Sequence, residues 1–339
     1  MPQNYYQMKS KWFYILFGVV IITFLIEAVI EGYHNTRLKE EQYAAYLASQ
    51  PIDSAWIAPS LYLDRETTGK ERAMVMYGQD LVAHTSKYFG PNGTLSKITN
   101  GMNCQNCHLD AGTRPWGNNY GAVFSKYPQY RGRSNSVQDI YGRINDCFER
   151  SLNGKAIDTN SYEMRSIYAY MKWLGKDVPK GTKPYGAGLP SIPIIDREAN
   201  VIKGKAVYVN ICQTCHGDKG QGLLNPNGSE YLYPPLWGEN SYNDGAGLYR
   251  LSSFAGYVEY NMPFNIATHA VPKLTIEEAW DVAAFVNSQP RPHIDQSKDW
   301  PDITKKVFDV SFGPYTDNFS ERQHKYGPFK EIIIAHKTK

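Results

Sequence analysis

Apolar residues recur with helical periodicity in four short segments of the chain. The first pattern begins near Glu71, and the others predict helices over residues 162–174, 197–210 and 276–287. Residues 12–26 differ from these segments, because they form one mostly apolar run with lysines just before it. This run predicts a signal-anchor helix within residues 1–31, retained as one transmembrane span since no small-residue cleavage site follows closely. A cleaved signal peptide and a buried helix are the alternatives.

Breaks in the helical patterns divide the remainder of the chain. A polar stretch interrupted by Pro51 and Pro59 predicts a stalk, and a run rich in proline and glycine predicts a linker. The predicted order is a stalk, a first domain, a linker, a second domain and a tail that packs on the domains, over residues 32–70, 71–178, 179–196, 197–292 and 293–339.

Composition excludes one class of function. The 339 residues are enough for two domains, and the net charge is +3 with a pI near 8.4. No tract of lysine or arginine is present in the sequence, so we expect no nucleic-acid partner.

Four of the five cysteines fall into two Cys-x-x-Cys-His motifs. This spacing lets two thiols bond to the vinyl groups of a haem, while the histidine ligates the iron. A zinc site would gather four ligands, and a thioredoxin motif would follow a strand, so neither alternative fits well. We therefore predict two covalently bound c-type haems, held by Cys104, Cys107 and His108 and by Cys212, Cys215 and His216. Such attachment is completed outside the cytoplasm, which predicts the periplasmic side of a bacterial inner membrane.

The order of helix, haem motif, loop and helix occurs twice. Each copy resembles a class I cytochrome c domain, in which helices cover the edges of the porphyrin. Thr275 and Glu278 add a capping-box pattern to the last helix. The predicted fold is all-α, with two tandem cytochrome c-like domains preceded by one transmembrane helix.

The sixth iron ligands are predicted from this internal repeat. An offset of 115 residues aligns residues 166–170 with 281–285, and the same offset pairs Cys147 with Met262. Met262 is thus the predicted second ligand of the His216 iron, with His269 as a competing donor. Cys147 is the corresponding ligand of the His108 iron. Its alternatives are a free or buried thiol and ligation by Met164 or Met171, which core packing explains better.

Arginines cluster in sequence around Cys147. A helical pattern places Arg143, Cys147 and Arg150 on one face, and Arg131 and Arg133 lie upstream. Guanidinium groups bind oxyanions through paired donors, so the cluster suits a small sulfur or phosphorus oxyanion. The alternative is that these arginines pair with haem propionates, Asp146 or Glu149. The predicted catalytic set is Cys147, Arg131, Arg133, Arg143, Arg150 and Ser151.

The sequence resembles the thiosulfate dehydrogenase family, dihaem cytochromes that couple thiosulfate to tetrathionate. The matching stretches are residues 103–109, 131–134, 144–154, 234–238, 261–263, 278–292 and 312–315. The resemblance implies a His108/Cys147 active-site haem, a sulfur adduct on Cys147, and a second haem that passes electrons to a small cytochrome c or a membrane respiratory complex. It departs at Asn261, where some members have a lysine that can replace the methionine ligand, and in the N-terminal anchor.

Two rival functions follow from the same motifs. A non-enzymatic membrane cytochrome would relay electrons and would need no substrate cleft. A dihaem peroxidase would need a displaceable ligand and a distal acid, and no residue stands out as that acid.

Overall fold

The computed structural model describes residues 17, 21–35, 37–38, 55–61 and 64–337. The chain divides into two compact units, Met1–Asp53 and Ser54–Lys339. In the first unit residues 21–35 are helical, and most of the predicted anchor lies outside the described residues. Within the described ranges, no helix combines the length and the apolar character needed to cross a bilayer. The predicted transmembrane helix is therefore not supported by the structure.

The second unit is mostly helical, as predicted. Its α-helices are α1 (Gly69–Ala83), α2 (Thr85–Phe89), α3 (Leu109–Gly112), α4 (Val123–Lys126), α5 (Ile140–Asp146), α6 (Tyr162–Leu174), α7 (Val201–Val207), α8 (Gln213–His216), α9 (Leu251–Asn261), α10 (Ile276–Ser288), α11 (Glu321–Tyr326) and α12 (Lys330–Lys337). Wider π-helical turns follow α5 and α7, and 3₁₀ turns cover Cys104–Asn106, Gly247–Tyr249 and Ile303–Lys305.

Two small antiparallel strand pairs are additions to the predicted all-α fold. Strand β1 (Gln129–Arg131) pairs with β2 (Ser136–Gln138), and β3 (Leu223–Leu224) pairs with β4 (Tyr231–Tyr233). Each pair is only two or three residues long, which is too short for the alternation of a strand to register in the sequence.

Local capping signals account for the helix bounds. Helix α6 has the predicted bounds, and the predicted capping box begins α10, with Glu278 N donating to Thr275 Oγ1 at 3.2 Å. Helix α7 is shorter than predicted. The Asn200 side chain accepts from Ile202 N and Lys203 N, so the helix begins after Asn200.

The same kind of helix crossing occurs in each half of the second unit. A Cβ added to Gly78 of α1 would lie 2.0 Å from the Ser166 carbonyl oxygen in α6, and one added to Gly204 of α7 would lie 1.8 Å from the Asp281 carbonyl oxygen in α10. Ser166 and Asp281 are one of the residue pairs that the offset of 115 aligns. The crossings thus support the internal repeat from which the sixth ligands are predicted.

Segments at both ends of the second unit pack on the domains. Trp56, from the predicted stalk, is buried, and its backbone N–H donates to Tyr185 O at 2.8 Å. In the tail, Phe329 is buried with its ring centroid 5.5 Å from that of Trp280. The stalk end and the tail therefore both form part of the core.

Candidate functional site

The first haem motif sits on a capped turn. Asn103 caps the Cys104–Asn106 turn, and His108 follows it. The His108 Nδ1–H donates to Asn118 O at 2.5 Å, which fixes the ring and leaves Nε2 as the free nitrogen. Burial lowers the pKa of His108 to about 4, so the ring is neutral at pH 7, as a metal ligand must be.

A cavity of about 420 Å³ opens beside this motif. Both motif thiols, His108 and Cys147 line it. The donor set, two thiols of one motif with a fixed histidine nitrogen facing a cavity, fits a covalently held haem c. The lining also includes four basic side chains and no carboxylate; the basic residues are Lys126, Arg131, Arg143 and Lys183.

Cys147 lies where helix α5 widens into a π-helical turn, Cys147–Ser151. Such turns are common at functional sites. Arg143 Nη1 donates to Cys147 Sγ at 3.3 Å, and the charge of Cys147 raises the pKa of Arg143. The i, i+4 relation predicted for these two residues is present. The guanidinium group thus donates a hydrogen bond to the sulfur atom of Cys147.

A second cavity, of about 240 Å³, shares Cys107, His108 and Cys147 with the first. Ser151 and Arg131 line both cavities. The structure brings all four predicted arginines to this cavity and adds one more. The arginines that line it are Arg131, Arg133, Arg143, Arg150 and Arg250.

The ion pairs of these arginines include a partner that the sequence did not suggest. Arg150 forms a two-pronged ion pair with Asp299, with both nitrogen–oxygen distances 2.8 Å. Asp146 was one of the predicted alternatives, but its Oδ2 accepts from Gln138 Nε2 at 2.8 Å. Arg150 belongs to the π-helical turn Cys147–Ser151, and its guanidinium group pairs with the tail.

The second haem motif is built in the same way. The His216 Nδ1–H donates to Pro234 O at 2.8 Å, and burial lowers the pKa of His216. A small cavity of about 50 Å³ is lined by both His216 and Met262. His269, the competing donor, is not among the residues that line this cavity, and its ring stacks on that of Trp116 with centroids 4.0 Å apart.

Within the described residues, the side chains of the two Cys-x-x-Cys-His motifs do not converge on one metal site. Within the described ranges, no three side chains of the types His, Cys, Asp and Glu converge as ligands for one metal ion. A zinc site made from both motifs therefore has no ligand set in this part of the chain.

Sequence reasoning missed five contributors to the site, one of which is Lys126. The others are Asn118, Lys183, Arg250 and Asp299. Asn118 acts through its carbonyl oxygen, which any residue could supply, and Asp299 lies 149 residues from its partner Arg150. No spacing rule predicts such pairs, so only the folded chain identifies them.

Two family models match the chain, one in each half. Residues 95–179 match the family model "SoxA/TsdA, cytochrome c domain", and residues 201–290 match the model "Cytochrome c". The fold and the two motifs define a protein with two cytochrome c domains, a class that binds haem c.

Similar proteins identify the family to which the chain belongs within this class. A thiosulfate dehydrogenase of Psychrobacter arcticus is 38% identical over 259 residues, covering 74% of this chain and 74% of the relative. The thiosulfate dehydrogenase of Allochromatium vinosum is 40% identical over 199 residues, covering 58% of this chain and 72% of the relative. The chain belongs to the thiosulfate dehydrogenase family and is an enzyme, which favours catalysis over a purely electron-carrying cytochrome.

A solved structure is similar as well. The as-isolated form of thiosulfate dehydrogenase (TsdBA) from Marichromatium purpuratum superposes with a TM-score of 0.64 at 32% identity. The match covers 84% of this chain but only 57% of that chain. The present chain thus corresponds to little more than half of that longer protein.

Proposed function

We propose that this enzyme interconverts thiosulfate and tetrathionate, with Cys147 as the reacting group. The observation that carries the proposal is the Arg143 to Cys147 contact of 3.3 Å at the junction of two cavities, one with a haem motif and one lined by arginines. A thiolate and clustered guanidinium groups together suit a nucleophilic, doubly charged sulfur oxyanion.

The cofactors in this proposal are two covalently bound haems. Cys104 and Cys107 would hold one, with His108 and Cys147 as its iron ligands. The other would be held by Cys212 and Cys215, with His216 and Met262 as ligands. Bound haem supplies one-electron oxidation and reduction. Thiolate donation lowers a haem potential and methionine ligation raises it, so electrons would run from the first domain to the second.

The reaction balances in two steps. The Cys147 thiolate and the outer sulfur of one thiosulfate form a sulfur–sulfur bond, and two electrons leave the pair. A second thiosulfate then attacks the outer sulfur of this adduct, the bond to Cys147 breaks, and tetrathionate leaves. The cysteine returns as thiolate. The reverse sequence takes up two electrons and reduces tetrathionate.

The arginines offset the charge of this reaction. Two thiosulfate dianions about 6 Å apart repel by about 11 kcal/mol at an effective dielectric constant of about 20. Arg143 lies on the thiol, and Arg131 lines both cavities. These two side chains are the best placed to hold the sulfonate oxygens.

Two residues that line the cavities of both haem motifs support this route for the electrons. Met102 and Cys107 line both the cavity of His108 and the cavity of His216. Tyr257 OH also donates to Asn106 O across the domains at 3.1 Å. Electrons would leave the second domain for a small cytochrome c or a membrane respiratory complex.

The proposed location is the periplasmic side of the inner membrane. Covalent haem attachment supports an extracytoplasmic site, and the apolar run over residues 12–26 supports an N-terminal membrane anchor. Most of that run lies outside the described residues.

The deciding experiment is Cys147→Ser with thiosulfate and tetrathionate turnover measured in both directions. We expect turnover to fall by at least about 10³-fold, because the nucleophile is lost, while both haems stay covalently attached. Met171→Leu is the matched control, since Met171 lines the same cavity and should be dispensable for turnover. Retained turnover in Cys147→Ser would exclude the mechanism.

A further inference from the structure

A carboxylate from the C-terminal tail lies on the wall of the arginine-lined cavity. The Asp299 side chain is only 9% exposed. Its two oxygens accept from Arg150 Nη1 and Nη2, each at 2.8 Å, and one oxygen lies 3.9 Å from Arg133 Nε. Paired contacts of this kind fix the plane of a guanidinium group as well as its position.

Two guanidinium groups lie side by side at this carboxylate. Arg133 Nη1 and Arg150 Nη1 both donate to the carbonyl oxygen of Gly245, at 3.0 Å and 3.4 Å. Burial, and next the charge of Arg150, lower the pKa of Arg133 to about 10. Two like charges in one cavity repel each other, and Asp299 is the anion that offsets this repulsion.

The backbone of the tail also forms a hydrogen bond with a residue of the site. Trp300 N donates to Arg133 O at 2.7 Å. A second tail carboxylate repeats the arrangement, because Asp309 accepts from Arg250 Nε at 2.8 Å and is fully buried. The tail thus pairs with three of the arginines that line the cavity.

We propose that Asp299 is a positioning residue for thiosulfate: its carboxylate keeps Arg133 and Arg150 together on the wall of the cavity that contains Cys147. This role rests on the proposed function and deepens it. Asp299 acts through the two arginines and takes no part in bond formation. Without it, repulsion separates the guanidinium groups, and the anion loses part of its binding site.

The first test compares Asp299→Asn with wild-type enzyme in thiosulfate oxidation. We expect KM to rise about ten-fold and kcat to change less than about two-fold, because ground-state and transition-state binding are lost together. Asp299→Glu keeps the charge and should show an intermediate KM. Asp302→Asn is the matched control, since Asp302 is a half-buried tail residue that caps the Ile303–Lys305 turn through Thr304 and does not line the arginine-lined cavity.

A double-mutant cycle separates positioning from general damage to the fold. If Asp299 acts through Arg150, then Asp299→Asn should add little to the KM of Arg150→Lys. Effects that simply add would overturn the proposal. Tetrathionate titration of the oxidised protein, followed by the absorption spectrum of the first haem, should give a matching rise in Kd.

The outcomes distinguish the two proposals. Wild-type protein without thiosulfate turnover would refute the proposed function. Normal wild-type turnover with an unchanged KM in Asp299→Asn would refute the role of Asp299 alone. Should Asp299→Asn fail to fold, Asp299→Glu decides in its place, and a wild-type KM in that variant counts against the proposal.

Discussion

At the scale of single residues, the site depends on side chains whose environment sets their chemistry. His108 and His216 each donate Nδ1–H to a backbone carbonyl oxygen, so each presents the other nitrogen to a cavity. Cys147 has a guanidinium group at hydrogen-bonding distance, and Met262 lies in a cavity with His216. The two candidate sites therefore differ in the sulfur group that accompanies the histidine: it is a cysteine thiol at the first site and a methionine thioether at the second.

Replacing Met262 tests that difference. Met262→Ala should remove the far-red absorption band typical of iron–methionine ligation and lower the potential of the second haem, because a thioether donor raises it. Turnover should fall through slower electron exit, with the spectrum of the first haem unchanged.

His269→Gln is the control, since His269 stacks on Trp116. Loss of the band in His269→Gln but not in Met262→Ala would show that the ligand is misassigned.

At the scale of secondary-structure elements, a helix crossing organises each half. Alanine has a higher helix propensity than glycine by about 1 kcal/mol, so Gly204→Ala would stabilise an isolated helix. Here the added Cβ would lie 1.8 Å from the Asp281 carbonyl oxygen. We expect Gly204→Ala to lower the free energy of unfolding by at least about 2 kcal/mol, because a backbone contact cannot yield cheaply.

Thermal unfolding of the haem-loaded protein is the measurement. Lys203→Ala, on the exposed face of the same helix, should leave the melting temperature nearly unchanged. A Gly204→Ala variant as stable as wild type would mean that the two helices do not cross at this residue.

The elements also show what sequence could predict. The cysteine motifs and the capping box at Thr275 are local patterns, and the alignment of Cys147 with Met262 comes from the internal repeat. Both kinds of pattern can be read along a chain. The partner of Arg150 could not be predicted, because it is a carboxylate 149 residues away. Long-range pairs leave no periodic trace.

At the scale of the whole molecule, segments outside the two domains hold the core together. Asp64, from the predicted stalk, accepts from Trp173 Nε1 at 2.5 Å and from Lys176 Nζ at 3.2 Å. The bond from Trp173 is the largest of several that hold the pKa of Asp64 well below its usual value. The charged carboxylate thus stabilises the folded state at pH values above the usual aspartate pKa of about 3.9, and this contribution is lost as pH falls toward the lowered value.

Asp64→Asn should therefore lower the melting temperature at pH 7. The gap from wild type should narrow as pH falls below about 4, since the unfolded-state carboxyl protonates near its usual pKa of about 3.9. Melting curves between pH 3 and 7 give the comparison, with Asp177→Asn as control, because Asp177 is exposed and directly follows Lys176 in the sequence. A gap that widens on acidification would reverse the assigned sign.

The positions of the tail carboxylates have a consequence for a shortened chain. Asp299 and Asp309 follow both haem motifs in the sequence, yet they pair with arginines that precede them by 149 and 59 residues. A chain that ended before residue 299 would therefore keep both Cys-x-x-Cys-His motifs but would lose part of the wall of the arginine-lined cavity. If Asp299 positions Arg133 and Arg150 as proposed, such a shortened chain would be able to hold haem yet would bind thiosulfate less tightly than the full-length enzyme.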